Sequence, residues 1–462
     1  MPATLYRREA LIGLGQLTLG SLTLPSLLRA ERAVAAVGNP RARSCILVFL
    51  WGGPPQQDMF DLNLSAPDGI RTKFKPISTN VPGVQFSEHL PMLAQQMDTM
   101  ALIRSVTHKS DNHEPSVYHM LTGYTDNALV VPRNQRKRTS APHVGAVLGC
   151  LTGARGELPQ FVNIPRPIQH DGVKYAGTHA GWLGARHDPL ELPDTPLVEG
   201  KPRLDFDFPQ GVSSARVAQR RGLLSMIEST DRQLQRRPEA FGLEAAKERA
   251  FNLIAAPEAK RAFNLDLESA ATRERYGRSH YCEAFLLARR LVEAGVRLVT
   301  LNWMYFRPDA NPLNPWDNHG GTAALGGVSG YDMLLKDYCL PSLDRGLSAL
   351  LTDLKQTGLL DETLVVVMGE FGRTPKINAA MGRDHWGALQ SVLMAGAGIR
   401  GGTVYGASDS HSAYVKDDPV RPEDLLATVY HSFGFAPETM IRDLEGRPHP
   451  ISAGTPLTSL FG

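Results

Sequence analysis

The stretch Cys45-Ile46-Leu47-Val48-Phe49-Leu50-Trp51, closed by Gly52-Gly53-Pro54-Pro55, decides the fold class. An unbroken apolar run of this length, ended by residues that turn the chain, suits a strand covered on both faces, as at the centre of a parallel sheet. A second run of this kind, Thr363 to Met368 (TLVVVM), follows a helical pattern over about Tyr331 to Gln356 in which Leu343, Leu347, Leu350, Leu351 and Leu354 share one face. Val296 to Trp303 (VRLVTLNW) reads as a third strand, emerging at Gly295 from a helix over Tyr281 to Ala294. Between Glu88 and Ser105, Leu90, Leu93 and Met97 keep helical spacing before a short strand at Ala101 to Ile103. Ser391 to Met394 is a further strand, and Pro422 opens a helix that closes on Gly434. Strands alternating with helices predict an α/β fold, a mostly parallel sheet with helices on both faces.

Two segments stand apart from this rhythm. Residues from about 124 to 210 are rich in Pro, Gly and Asp and are expected to be insertions on the rim of the core. From about 212 to 294 the pattern is helical, with Val217, Leu224, Ile227 and Leu234 on one stripe begun near Ser213, and more helix over Leu243 to Phe263. Residues 36–462 are expected to form one domain.

Residues 1–35 read as an export signal of twin-arginine type. Arg7-Arg8 precedes an apolar run from Leu11 to Leu28 that Gly13, Gly15, Gly20 and Pro25 interrupt, which makes it too weak for a membrane anchor. Ala33-Val34-Ala35 then supplies a small-x-small cleavage pattern. The expected partner is the twin-arginine export machinery and the expected location periplasmic or otherwise extracytoplasmic, with no stable membrane span. A formal net charge of +2, from 49 basic and 47 acidic residues, offers no basic field for nucleic acid. The four cysteines show no CxxC spacing, which removes zinc-ribbon and thioredoxin-like chemistry.

In an open parallel sheet, loops past the carboxyl ends of the strands face a common crevice. The unusual polar residues of this chain fall there. Asp58 and Asp61 follow the first strand; His108, Asp111, His113 and His119 follow Ala101 to Ile103; Asp317, Asn318 and His319 follow VRLVTLNW; Glu370, Arg373, Asp384 and His385 follow TLVVVM. Carboxylates and imidazoles arriving from four strand ends match the ligand types of a divalent ion. Trp51, Trp316 and Trp386 lie beside the same loops, where stacking on sugar rings and core packing are both open readings.

These motifs together resemble a known family. Trp51-Gly52-Gly53 with Asp58 and Asp61, HKSDNHEPSVYHMLTGY (His108 to Tyr124), VVVMGEFGRTPKI followed by GRDHW (Val365 to Trp386) and the C-terminal GRPHP (Gly446 to Pro450) are similar to the exported bacterial family called domain of unknown function 1501. That family looks like a branch of the alkaline phosphatase and sulfatase superfamily, and the resemblance implies its mostly parallel sheet and a metal-dependent site. Sulfatases carry a modified Cys or Ser, then Pro two residues on, Arg four on and Thr-Gly nine and ten on. Pro115 and Thr122-Gly123 fit this frame, but His113 stands in the nucleophile slot and Val117 in the Arg slot. Gly52-Gly53 replaces the paired Asp after the first strand, while Glu370, Asp317 with His319, and His385 resemble later ligands.

The expected metal ligands are therefore drawn from Asp58, His113, Asp317, His319, Glu370, Asp384 and His385, around zinc, manganese or calcium. An ion held by Asp317, His319, Glu370 and His385 would make an attacking water available without any Ser or Cys. His113 has three open readings, as ligand, general base or phosphoryl acceptor. Arg373 is expected to clamp a sulfate, phosphate or carboxylate, against the alternative of a structural salt bridge. Two functions remain: a metal-dependent hydrolase of phosphate or sulfate esters, with a small anionic or glycan substrate, and a non-catalytic binding or assembly protein on the same fold.

Overall fold

The computed structural model describes residues 40–126, 135–153, 158–170, 172–192, 256–306 and 312–462, with isolated helical positions between 216 and 226. The signal segment, most of the helix begun near Ser213 and the first part of the Leu243 to Phe263 helix lie outside the described residues.

An eight-stranded sheet organises the fold. In chain order its strands are β1 (Ser44–Phe49), β2 (Met100–Val106), β3 (Phe161–Ile164), β4 (Leu190–Glu191), β5 (Leu298–Asn302), β6 (Thr363–Met368), β7 (Gln390–Ala395) and β8 (Thr403–Tyr405). They lie side by side as β8-β2-β7-β6-β1-β5-β3-β4. β1 sits between β6 and β5, parallel to both, with Val48 opposite Val367 on one side and Leu301 on the other. Only β7 runs against its neighbours, pairing antiparallel with β6 and β2. The sheet is thus mostly parallel, as the two apolar runs predict.

Both faces are covered, which is why β1 and β6 carry no polar alternation. On one face Ile46, Val48 and Leu50 pack with Phe285 and Leu287 of α3 (His280–Glu293) and with Leu343, Leu347, Leu350 and Leu354 of α4 (Leu340–Gln356). On the other, Cys45, Leu47, Phe49 and Trp51 meet Val117 and Leu121 of α1 (His113–Thr122), Val147 of α2 (Val144–Thr152) and Leu425 and Val429 of α5 (Pro422–Ser432). Each such fully buried leucine contributes about 1.5–3 kcal/mol relative to an exposed one. Among the described residues no helix is long and apolar enough to cross a membrane.

Two sequence expectations change. The helix expected over Tyr331 to Gln356 is two helices, Gly330–Leu334 and α4, because Pro341 has no N–H and its ring would clash with a preceding carbonyl, so it must sit in the first turn of a new helix. The segment from 124 to 210 is not all rim. Phe161–Ile164 is a fully buried strand parallel to β5, and Leu190–Glu191 extends the sheet beyond it. Four residues are too few to show a period among so many Pro and Gly.

The topology brings the polar loops together. β1, β2, β5 and β6 end at one edge of the sheet. β7 runs the other way, so the residues before it, including His385 and Trp386, arrive at that same edge. Here the chain passes very close to itself. Gly52 has φ +120°, and a Cβ on it would lie 2.3 Å from the backbone N of Asp317, so only glycine lets the end of β1 touch the loop after β5.

Candidate functional site

Side chains from the connections after β2, β5 and β6 converge on Asp317. Its Oδ1 lies 2.8 Å from Nε2 of His319, 3.0 Å from Nε2 of His385 and 2.7 Å from Nη2 of Arg373, and its Oδ2 lies 3.4 Å from Nε2 of His113. His113 begins α1, the helix that follows β2, so its imidazole is fixed by a rigid element. His385 belongs to a short antiparallel pairing, Gly372–Arg373 with His385–Trp386, that also fixes Arg373. His113, Asp317 and His385 each offer a ligand atom within 4.8 Å of the others, and His319 joins them through Nε2, 2.8 Å from Nε2 of His385.

Each of the three imidazoles is oriented from behind. Nδ1 of His113 lies 2.7 Å from Oε1 of Glu370, Nδ1 of His319 lies 3.1 Å from Oδ1 of Asp384, and Nδ1 of His385 lies 2.9 Å from the carbonyl oxygen of Asp111. Carbonyl and ionised carboxyl oxygens only accept, so in every case Nδ1 is the donor and Nε2 is the atom turned toward Asp317; there a protonated ring presents an N–H to the carboxylate, and a neutral ring presents a lone pair. This placement of the Nδ1 proton is inferred from the hydrogen-bond network. Glu370, 0% exposed, is itself fixed by the backbone N–H of Gly52, at 2.9 and 3.1 Å from its two oxygens.

The electrostatics follow from this packing. Burial would raise the Asp317 carboxyl, but the charge of Arg373 and the hydrogen bonds from the three histidines hold it well below the usual carboxylate range. Burial lowers the His113 imidazole, yet the hydrogen bonds and charges of Asp317 and Glu370 outweigh it and push the pKa up to about 9. For His385 burial wins and the pKa falls, against the raising hydrogen bond that it gives to Asp317. Asp384 is lowered: its small desolvation is outweighed by the hydrogen bonds from Asn378 and His319.

Not every expected residue joins the cluster. Asp58 is taken elsewhere: Arg383 reaches its Oδ2 through Nε at 2.7 Å and its Oδ1 through Nη2 at 3.1 Å, and the Tyr331 hydroxyl donates to Oδ1 at 2.7 Å. Both oxygens are engaged in this buried pair, and Asp58 is not among the ligand atoms that the described residues bring together, which corrects the expectation that it is a ligand. Glu370 and Asp384 bond to Nδ1 of His113 and His319, on the side of each ring away from Asp317. Arg373 is likewise not an open clamp. It is 0% exposed, with Nε bonded to Gly53 O at 2.8 Å, Nη1 to Arg383 O at 2.9 Å, and Nη2 to Gly52 O, to Trp316 O at 3.0 Å and to Asp317. Its fork is filled by the chain itself, so it positions Asp317, and the salt-bridge alternative is the one observed.

Asn314 was missed. Its Nδ2 lies 3.3 Å from Nε2 of His113 and 3.3 Å from Oδ2 of Asp317. The only signal was its place three residues before Asp317 in the same loop. The backbone carbonyl of Asp111, which orients His385, carries no sequence signal at all. Of the three tryptophans, Trp51 and Trp316 are core residues, at 1% and 0% exposure, while Trp386 is half-buried.

Fold and cluster together define a mostly parallel α/β protein with an imidazole- and carboxylate-lined site at the carboxyl edge of its sheet. The family described as "Protein of unknown function (DUF1501)" matches residues 42–461, and the chain belongs to it. No curated protein matches the sequence at a significant level. Among solved structures, the chain is similar to a putative sulfatase from Bacteroides thetaiotaomicron VPI-5482, at 11% identity and TM-score 0.40, over 92% of this chain and 75% of that one. It is also similar to the phosphonate monoester hydrolase SpPMH from Silicibacter pomeroyi, at 13% identity and TM-score 0.38, over 91% of this chain and 76% of that one. A third is the lipoteichoic acid synthase LtaP from Listeria monocytogenes, at 11% identity and TM-score 0.36, over 88% and 78% of the two chains.

Proposed function

We propose that the chain is an exported, metal-dependent hydrolase-like protein for phosphate or sulfate esters, with residues 1–35 as its twin-arginine signal and 36–462 as one domain. A single observation carries the metal reading. Three imidazoles, each with Nδ1 given to an acceptor behind it, turn Nε2 toward one carboxylate. Acceptors behind ligating histidines are the usual support of a metal centre. His319 and His385 sharpen the case, because two inward lone pairs 2.8 Å apart repel unless a cation or a proton lies between them.

His113, Asp317, His319 and His385 are the residues that would hold the ion. Three nitrogens and one carboxylate suit zinc or manganese better than calcium, which takes oxygen ligands. A divalent ion there would supply a Lewis acid that polarises an ester oxygen and lowers the pKa of water. Around it, Glu370, Asp384 and the Asp111 carbonyl fix the rings, and Arg373 fixes Asp317. The Asn314 amide is the uncharged donor that faces both His113 and Asp317. An anionic ester is the fitting substrate for so positive a centre, and the export reading rests on Arg7-Arg8 and the short h-region after them.

The test is metal content per chain in protein purified without chelator, together with turnover of an aryl phosphate, an aryl sulfate and a phosphonate ester. About one ion per chain is expected, with turnover lost on chelation and in Asp317→Asn. Metal-free protein whose melting temperature ignores added zinc and manganese defeats the reading. Bound metal with a raised melting temperature and no turnover would favour the non-catalytic binding protein.

A further inference from the structure

A cleft of about 720 Å³ has Asp111 and Trp386 in its lining, and its volume falls within the ~300–1,000 Å³ range of small-molecule sites. Asp111 lines the cleft and its carbonyl orients His385, and Trp386, the next residue after His385, lines the cleft too. The Asp111 carboxylate also accepts from the N–H of Gly387 at 2.6 Å, which ties this wall together.

The lining has two properties. First, it holds a fixed aromatic surface. The Trp386 indole N–H donates to Ala413 O at 2.5 Å, and the ring meets Tyr414 edge-on with centroids 5.5 Å apart. Tyr414 is 55% exposed, so the aromatic pair runs outward to solvent. Second, its Lys, Arg, Asp and Glu side chains carry no excess of cations, and several of them already have partners. Lys109 and Arg421 line the cleft together with Asp111, Asp126 and Glu423. Arg421 is already forked onto Asp424, at 2.8 and 3.0 Å, and Glu423 accepts from His119 at 2.9 Å. Such a lining has no excess positive charge with which to hold a phosphate or a polysulfate. It has carboxylates, whose paired oxygens suit neighbouring hydroxyl donors, beside a flat apolar ring.

We propose that this cleft is a saccharide subsite, which takes a neutral pyranose stacked on Trp386 while an anionic ester elsewhere on the substrate is addressed to the histidine cluster. The inference deepens the hydrolase reading and rests on it for the second half of that sentence; sugar binding in the cleft stands on its own lining.

A glycan microarray carrying neutral and sulfated oligosaccharides tests it, probed with the full-length mature protein in excess EDTA and, separately, with zinc. Neutral glycans should be retained in both conditions, with retention about tenfold weaker in Trp386→Ala and largely kept in Trp386→Phe. Should the alanine variant fail to fold, acrylamide quenching of the wild type gives the same information: Trp51, Trp303 and Trp316 are fully buried and Trp182 is 9% exposed, so a bound neutral glycan should protect the indole of Trp386. Three results overturn the subsite: no neutral glycan retained, equal retention by Trp386→Ala, or retention that EDTA abolishes. In the last case the glycan sits on the metal, and the hydrolase reading survives without the cleft. Metal-free protein that still retains neutral glycans has the opposite meaning.

Discussion

The Nε2 atoms of His319 and His385 lie 2.8 Å apart, nearer than two imidazole lone pairs would rest, and both are within 3.0 Å of the same Asp317 oxygen. Asp317→Asn and His385→Gln should therefore each remove most of the bound metal, with native far-ultraviolet circular dichroism. In the wild type, zinc at 100 times its Kd should add about 2.7 kcal/mol to the unfolding free energy. Calorimetry with and without zinc measures it, and a wild type that zinc does not stabilise refutes the ligand assignment.

Glu370 supports His113 without reaching the centre. Glu370→Gln keeps an oxygen for the His113 N–H but loses the charge, so metal affinity should fall about 10–100-fold while the fold persists. Competition with a chromophoric chelator gives the affinity. Wild-type affinity in this variant would mean that the Glu370–His113 bond is only structural.

Truncating Arg373 separates the two readings of this residue. Arg373→Ala removes the guanidinium from Asp317 and from the carbonyls of Gly52, Gly53, Trp316 and Arg383, and should cost about 3–5 kcal/mol of stability. Denaturant unfolding reads this directly. A variant as stable as the wild type that has lost only turnover would restore the anion clamp.

Acid should destabilise the fold through buried histidines away from the cluster. The His143 ring is stacked on Phe161, 4.5 Å between centroids, and burial, assisted by the charges of Arg136 and His179, lowers its pKa to about 3. Burial and Arg136 lower His179 to about 4. Both pKa values are depressed on folding, so the full stability holds above about pH 6.5, where folded and unfolded chains alike carry neutral rings. Below that the unfolded chain takes up protons that the native chain refuses, and each group loses ~1.4 kcal/mol per pH unit until its folded pKa is reached. His143→Asn keeps an acceptor for the Gly145 N–H that His143 now caps. Its stability should fall less steeply between pH 6.5 and about 4; parallel profiles for variant and wild type would contradict the assignment.

How much of this the sequence makes legible depends on the range of the interaction. β1 and β6 declare themselves because a strand buried on both faces is written locally, in consecutive apolar residues. The site residues could be gathered because loops past parallel strands meet by topology, and even His385, which precedes the antiparallel β7, lands among them. Partnerships across the chain are another matter. Asp58 is 325 residues from the Arg383 that occupies it, and nothing near either residue announces the pair. Arg373 looks like a clamp in isolation because its acceptors are backbone carbonyls, which every residue has. The orienting carbonyl of Asp111 is silent for the same reason, and β3 is hidden by being four residues long.

The filled fork of Arg373 gives the site an indelible charge. Oxygen atoms from the end of β1, the Asp317 loop and the residue before Asp384 close around a guanidinium that no chelator can extract. An exchangeable ion would arrive at a mould already set, its carboxylate aimed by a cation that is part of the polypeptide. Loss of metal should thus empty this centre without collapsing it, and reloading should need no refolding.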